Sequence, residues 1–175
     1  MDMVLLLCGL SGAGKTTLAN TVKNRLSQSG MNTEIIDGDE YRSTLFRELS
    51  YSKPDRQENI RRLGFIANKF SECGIVTIVS AINPYDEVRE ELKETYENVK
   101  TIFVDCPVDT LIGRDTKGLY KRAMLPDGHP EKISNLTGIN DPFDVPASPD
   151  LYLNTDVLDI QECTSLLCSF IIDNN

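Results

Sequence analysis

The 175-residue sequence has one histidine, His129, and it sits in a Pro/Gly-rich loop. A Ser-His-Asp or Cys-His catalytic group would have to be built on that side chain alone, which argues against nucleophilic hydrolase chemistry. Cysteine is sparse and unpaired in pattern. Cys8, Cys73, Cys106, Cys163 and Cys168 are odd in number and form no C-x-x-C pair. Neither a disulfide framework nor a zinc site is expected, and a reducing cytoplasm is the natural compartment. Cys8 and Cys106 fall at strand ends and read as core thiols. Basic charge is also short. Lys and Arg number 18 against 27 Asp and Glu, for a net charge of −9. No broad basic face for nucleic acid is expected. A small anionic substrate stays compatible, because a few arginines can dominate the field inside a cleft. No apolar run reaches the length of a membrane span, and no internal repeat or low-complexity tract occurs. The N-terminus enters the first strand directly, so no signal or transit peptide is expected. One soluble globular domain over residues 1–175 accounts for the composition.

What is present begins at Gly9-Leu10-Ser11-Gly12-Ala13-Gly14-Lys15-Thr16, which fits G-x-x-x-x-G-K-[ST], the phosphate-binding P-loop. Glycines let the backbone turn its N–H groups toward phosphate oxygens. Lys15 would reach the β- and γ-phosphates of ATP, and the Thr16 hydroxyl would ligate Mg²⁺. The following helix points its positive end at the same anion. The flanks suit the motif: Met3–Cys8 reads as a buried strand and Lys15–Leu26 as a helix.

Apolar runs then alternate with helical patterns. Strands are expected at Thr33–Asp37, Ile75–Ser80, Thr101–Asp105 and, more weakly, Leu151–Asn154. Helices are expected at Asp39–Glu48, Arg56–Glu72, Pro84–Tyr96 (with Pro84 in the first turn), Pro107–Asp115 and Asp159–Ile172. Ile60, Leu63, Ala67 and Phe70 give the second of these its buried stripe, and Gly74 ends it. The alternation predicts an α/β fold of the P-loop NTPase, nucleoside-kinase-like type. It is a three-layer sandwich around a five-stranded parallel sheet. Ligands in such folds sit beyond the C-terminal ends of the strands. The P-loop, Asp37-Gly38-Asp39, Asn83-Pro84-Tyr85, Arg114 and Lys117 all follow strands, so they should share one edge.

Residues 117–150 break the pattern with Pro126, Gly128, Pro130, Gly138, Pro142, Pro146 and Pro149. They read as a long loop, either a lid that excludes water from phosphoryl transfer or a surface insertion. Asp37-Gly38-Asp39 places two carboxylates after the second strand. One could organise Mg²⁺ and the other accept a proton from an attacking hydroxyl, or the three residues could be a turn with Asp39 as a helix cap. Arg42, Arg56 and Arg61 suit phosphate or sulfate, or line a solvated helix face. Tyr51 and Phe143 are loop aromatics that could stack on a base or pack inward.

GLSGAGKTT (9–17), DGDEYR (37–42), DRQENIRR (55–62), AINPY (81–85), RDTKGLYKRA (114–123) and LTGIND (136–141) together resemble the adenylylsulfate kinases. Those enzymes move the γ-phosphoryl of ATP to the ribose 3′-hydroxyl of adenosine 5′-phosphosulfate (APS). The resemblance spans nearly the whole chain. It implies that Gly9 and Gly12 to Thr17 hold ATP and Mg²⁺, with Arg114 on the ATP side, and that Asp37 and Asp39 are catalytic. It implies an acceptor site of Asp39, Glu40, Arg42, Tyr51, Arg56, Asn59, Ile82, Asn83, Lys117 and Leu136, and a homodimer. Four positions depart from the usual pattern. Asn83 stands where a serine, often described as phosphorylated, is usual. Glu40 replaces asparagine, and Tyr51 and Leu136 each replace phenylalanine. All four lie on the acceptor side. A kinase of the same family acting on another nucleotide, such as cytidine diphosphoramidate in surface-polysaccharide pathways, is one alternative. A non-catalytic P-loop switch is another, although no N-K-x-D guanine motif occurs.

Overall fold

The computed structural model describes residues 3–174. Five parallel strands, β1 (Val4–Cys8), β2 (Thr33–Asp37), β3 (Val76–Ser80), β4 (Val99–Asp105) and β5 (Leu151–Asn154), form one sheet in the order β2-β3-β1-β4-β5. The alternation of β1 side chains explains the layers. Met3, Leu5 and Leu7 point to one face and Val4 and Leu6 to the other, all buried. On the first face pack α1 (Lys15–Gln28) and α7 (Ile160–Asp173), through Leu18, Val22, Leu26, Leu167 and Ile171. On the second pack α3 (Lys53–Ser71) and α4 (Asp86–Thr95), through Ile60, Leu63, Ala67, Val88 and Leu92. Both faces are covered, so the strands read as continuous apolar runs.

The chain leaves β1 toward β2 and β3 on one side, and later toward β4 and β5 on the other. The crevice at the C-terminal end of β1 is therefore the topological switch point. Gly9 turns the chain there with φ 149°. A Cβ at Gly9 would lie 2.1 Å from the Val104 carbonyl oxygen, so only glycine lets β1 pass β4 this closely.

The expected elements are present with shifted ends, and three differ in kind. Helix α2 (Gly38–Thr44) is shorter than the expected Asp39–Glu48, and its cap is Asp37 rather than Asp39. Pro84 lies outside α4, whose N-cap is Tyr85. The Pro84 carbonyl accepts from the Asp144 N–H at 2.8 Å, which holds it in an extended connection instead. Residues 117–150 are not a structureless loop. Gly118, with φ 66°, caps a short helix α6 (Leu119–Ala123) that buries Tyr120 and Ala123, and Leu136 and Thr137 are buried further on. The remaining short helix, α5 (Val108–Arg114), follows β4.

Candidate active site

The P-loop, the ends of β2 and β3, α2, and the 116–137 segment enclose a cleft of about 740 Å³. That is within the ~300–1,000 Å³ range of small-molecule sites. Gly12, Gly14, Lys15, Thr16 and Thr17 line it, together with Arg42, Tyr51, Arg56, Ile82, Lys117 and Leu136. Asp37, Asp39 and Ser80 also line it.

Lys15 is buried and donates from Nζ to the Gly9 and Leu10 carbonyls, both at 2.7 Å. Burial pushes its pKa down to about 8, since the ammonium has lost water. A phosphate beside it would reverse that shift. Asp37 divides its two oxygens between two tasks. Oδ1 accepts from the Asp39 and Glu40 N–H groups at 3.0 and 3.2 Å, starting α2. Oδ2 faces the Thr16 hydroxyl at 3.4 Å, and Thr16 lies 3.3 Å from the Ser80 hydroxyl. Three oxygens from three elements thus converge beside the P-loop. Among the described residues no cluster of three or more His, Cys, Asp or Glu gathers elsewhere as a metal site. An all-oxygen set with few protein ligands fits Mg²⁺, which keeps waters and shares substrate phosphates.

Asp39 lies across the cleft mouth, 80 % exposed in its side chain, and pairs with Lys117 at 3.2 Å. This pair joins the β2 edge to the 117–150 segment, and in water it contributes little stability. Arg42 donates to the Leu49 and Ser50 carbonyls and stacks on the Tyr51 ring at 4.8 Å. Desolvation lowers its pKa. Tyr51 is 54 % exposed and also faces Arg56 at 5.4 Å, so its ring stands in the cleft between two guanidiniums.

Arg56 is buried and ties α3 to the later chain. It donates to the Tyr51 carbonyl, the Thr137 hydroxyl, the Asn135 carbonyl and the Asp141 carboxylate at 2.6–3.1 Å. Tyr120 makes a second tie, donating its hydroxyl to the Ser11 carbonyl of the P-loop at 2.7 Å. Burial raises the Tyr120 pKa to about 12, which keeps that donor protonated. Gly138 makes a third. Its φ is 87°, and a Cβ there would come within 2.7 Å of Leu10.

Several expected residues stand behind the cleft. Gly9 and Ala13 shape the loop without lining it, and Glu40 is exposed outside it. Arg114 is also outside the lining, donating to the Thr155 carbonyl at 3.0 Å behind the P-loop, where the Thr155 hydroxyl donates to the Ala13 carbonyl. Asn59 and Asn83 are buried, and Asn59 Oδ1 and both amide atoms of Asn83 have no protein partner. Neither lines the cleft, although Asn83 directly follows Ile82, which does. Arg61 does not belong to the site, because Glu91 of α4 holds it in a two-pronged ion pair at 2.8 Å. Phe143 offers no base a platform. It stacks on Phe103 at 6.0 Å, as part of the packing beside β5. Ser80, Tyr120, Asn135 and Thr137 are site residues that spacing alone did not single out. Ser80 carried a signal as a hydroxyl at the end of a buried strand, Tyr120 and Thr137 lay inside the RDTKGLYKRA and LTGIND runs without being singled out, and Asn135 carried none. Cys8 and Cys106 are buried free thiols as expected, and burial pushes Cys8 up to about 12.

The model of the adenylylsulphate kinase family matches residues 1–154. The chain belongs to that family. The adenylyl-sulfate kinase of Chloroflexus aurantiacus is 43 % identical over 161 residues, covering 92 % of this chain and 84 % of the relative. A probable adenylyl-sulfate kinase of Synechocystis is 38 % identical over 167 residues, covering 95 % and 92 %. The Mycobacterium tuberculosis APS kinase, solved in complex with AMPPNP and APS, aligns with TM-score 0.90 at 32 % identity, covering 98 % of each chain. Like other family members, the chain is a kinase, a phosphotransferase with an alcohol acceptor. No described helix is long and apolar enough to cross a membrane.

Proposed function

We propose that this chain transfers the γ-phosphoryl of ATP to the ribose 3′-hydroxyl of APS. The observation that carries the reading is one cleft lined both by the phosphate loop and by an aromatic with two arginines against its ring. Asp37 and Asp39 line the same cleft. Gly12 to Thr17 hold the triphosphate. Thr16 and Asp37, with Ser80 beside them, would hold Mg²⁺, which neutralises charge on the β- and γ-phosphates when bound. Asp37, with one oxygen committed to capping α2, is a fixed ligand rather than a base. Asp39 has its carboxylate exposed and paired with Lys117, and it accepts the proton of the acceptor hydroxyl once that hydroxyl displaces Lys117. Tyr51, Arg42 and Arg56 hold the acceptor's base and anionic groups. Lys117 and Leu136 close over it, and the Ile82–Asn83 turn supports it from the β3 side. Transfer is direct, because an Asn83 amide forms no phosphate ester of the kind a serine forms. The product is 3′-phosphoadenosine 5′-phosphosulfate, of use in sulfate assimilation in the cytoplasm. A homodimer is the proposed assembly.

Leu136 in the cleft favours a second reading, a nucleotide acceptor other than APS. An aliphatic side chain there gives up one face of a base sandwich, where base–aromatic stacking contributes ~1–3 kcal/mol.

The carboxylate roles are tested by Asp37→Asn and Asp39→Asn. Asparagine still caps a helix, so α2 should persist in Asp37→Asn. Each variant should lose most turnover and keep ATP binding, measured by ADP release and by calorimetry. Near-normal turnover in both would reduce Asp37-Gly38-Asp39 to a turn.

A further inference from the structure

Arg89, on α4, is fully buried, yet it lies outside the cleft and belongs to none of the motifs above. A guanidinium is not buried without a set of acceptors to replace water. Arg89 has such a set. It donates from Nη1 to the Asn83 carbonyl at 2.6 Å, from Nε and Nη2 to the Asp86 carboxylate, and from Nη2 to the Asp144 carbonyl. What it holds is the exit turn of β3. Three consecutive carbonyls of that turn are each captured by a different element. Ile82 accepts from the Gly9 N–H at 3.1 Å, Asn83 from Arg89, and Pro84 from the Asp144 N–H at 2.8 Å. Asn83 sits at φ 49°, one of two described non-glycine residues with positive φ. Asparagine tolerates that region better than most residues but still requires its surroundings to impose it. The same backbone geometry buries the Asn83 amide with both polar atoms unpaired and turns Ile82 into the cleft.

We infer that Arg89 is a positioning residue for the acceptor. Its guanidinium fixes the left-handed turn at Asn83, so that Ile82 and the Asn83 amide meet the acceptor in a preset geometry. The link to Asp144 ties this turn to the segment that Arg56 anchors through Asp141. Two arginines on adjacent helices therefore brace the acceptor side from behind. The ATP side shares one bond with this turn, from the Gly9 N–H to the Ile82 carbonyl, but its loop is also held by Lys15 and Tyr120 and so should respond to Arg89 far less than the acceptor side. The inference rests on the APS reading for the identity of the acceptor.

Arg89→Lys keeps a buried cation able to reach the Asn83 carbonyl but loses the fork that also grips Asp86 and Asp144. Asn83→Gly keeps the positive φ without strain and removes the amide. Steady-state kinetics on both variants, varying ATP and APS separately, should show KM for APS raised about tenfold. KM for ATP and kcat should stay within about twofold. The double variant should be no worse than the weaker single variant, since both act on one turn. Loss of kcat with both KM values unchanged would mark Arg89 as purely structural and overturn the inference, as would multiplicative effects in the double variant. Wild type is assayed first. If it turns over no APS, the acceptor reading fails by itself, and backbone hydrogen exchange in Arg89→Lys then decides the positioning role. Faster exchange confined to residues 81–86 and 144 supports it, and faster exchange across the whole sheet overturns it.

Discussion

Lys15 and Asp37 show how much one side chain can be asked to do. Lys15 is folded onto its own loop, held by two carbonyls and short of water. On the proposed function, its stabilising contact with the transferred phosphoryl is made chiefly in the transition state. Lys15→Ala should therefore cost roughly 10²–10³ in turnover with the fold intact. Turnover within about threefold of wild type would remove the P-loop from the mechanism. A pH effect follows from the same burial. Free Lys15 titrates near 8, and a bound triphosphate favours its charged form and raises that value. Above pH 8 the free chain has lost the proton and the complex retains it. Binding ATP should then take up a proton, and affinity should fall as pH rises, by at most about tenfold per pH unit. Calorimetry at pH 8.5 in two buffers of different ionisation enthalpy reads the uptake directly. Equal heats in both buffers would show that Lys15 stays charged in the free chain. Residues of this kind were legible in the sequence because their spacing is local: the loop geometry needs Gly12, Gly14, Lys15 and Thr16 in one short run. Arg56 was legible only as a nearby positive charge. That it would spend its donors on Asn135, Thr137 and Asp141 depends on chain about 80 residues away, which no local pattern encodes.

The 117–150 segment decides how far element-level reading reached. Its prolines and glycines marked it as irregular, and in large part it is. They did not mark α6, whose five residues are too few for a periodic stripe and whose cap is a left-handed glycine. Nor did they mark the ties made by Tyr120, Arg56 and Gly138, which divide the segment into unequal parts. Between Ala123 and Leu136 no residue is buried, whereas Leu136 and Thr137 are. The lid motion should accordingly belong to residues 124–132, ahead of Ile133, which packs on the core, and Asn135, which Arg56 holds. Hydrogen exchange without ligands should be fast at 124–132 and slow from 136 to 144, and binding of both substrates should slow the first part. Tyr120→Phe, losing a buried bond to the P-loop, should destabilise by ~0.5–1.5 kcal/mol. It should also extend fast exchange to residues 117–123. Uniform, strong protection across 117–144 in the free enzyme would rule out a lid.

For the whole molecule, alternation of strand and helix was enough to place the site, because a parallel sheet sends every strand's C-terminal end to one edge. The crevice beside β1 then collects the residues that follow β1, β2 and β3, whatever their separation in sequence. A net charge of −9 does not prevent anion binding there, since Lys15, Arg42, Arg56 and Lys117 line one cleft. Overall charge and local field are separate properties of the chain. Acceptor identity is the least legible property at this scale. It depends on how Tyr51 and Leu136, both in the lining, shape the cleft. The most direct test is a competition assay. Purified enzyme with Mg²⁺, ATP and an equimolar mixture of APS and cytidine diphosphoramidate is sampled over time, and products are identified by mass spectrometry with the phosphorylated hydroxyl assigned by NMR. The account predicts that APS is consumed first, with one ADP released per 3′-phosphorylated product and no phosphoryl group retained on the protein. Preferential phosphorylation of the cytidine nucleotide, with APS left intact, would contradict it.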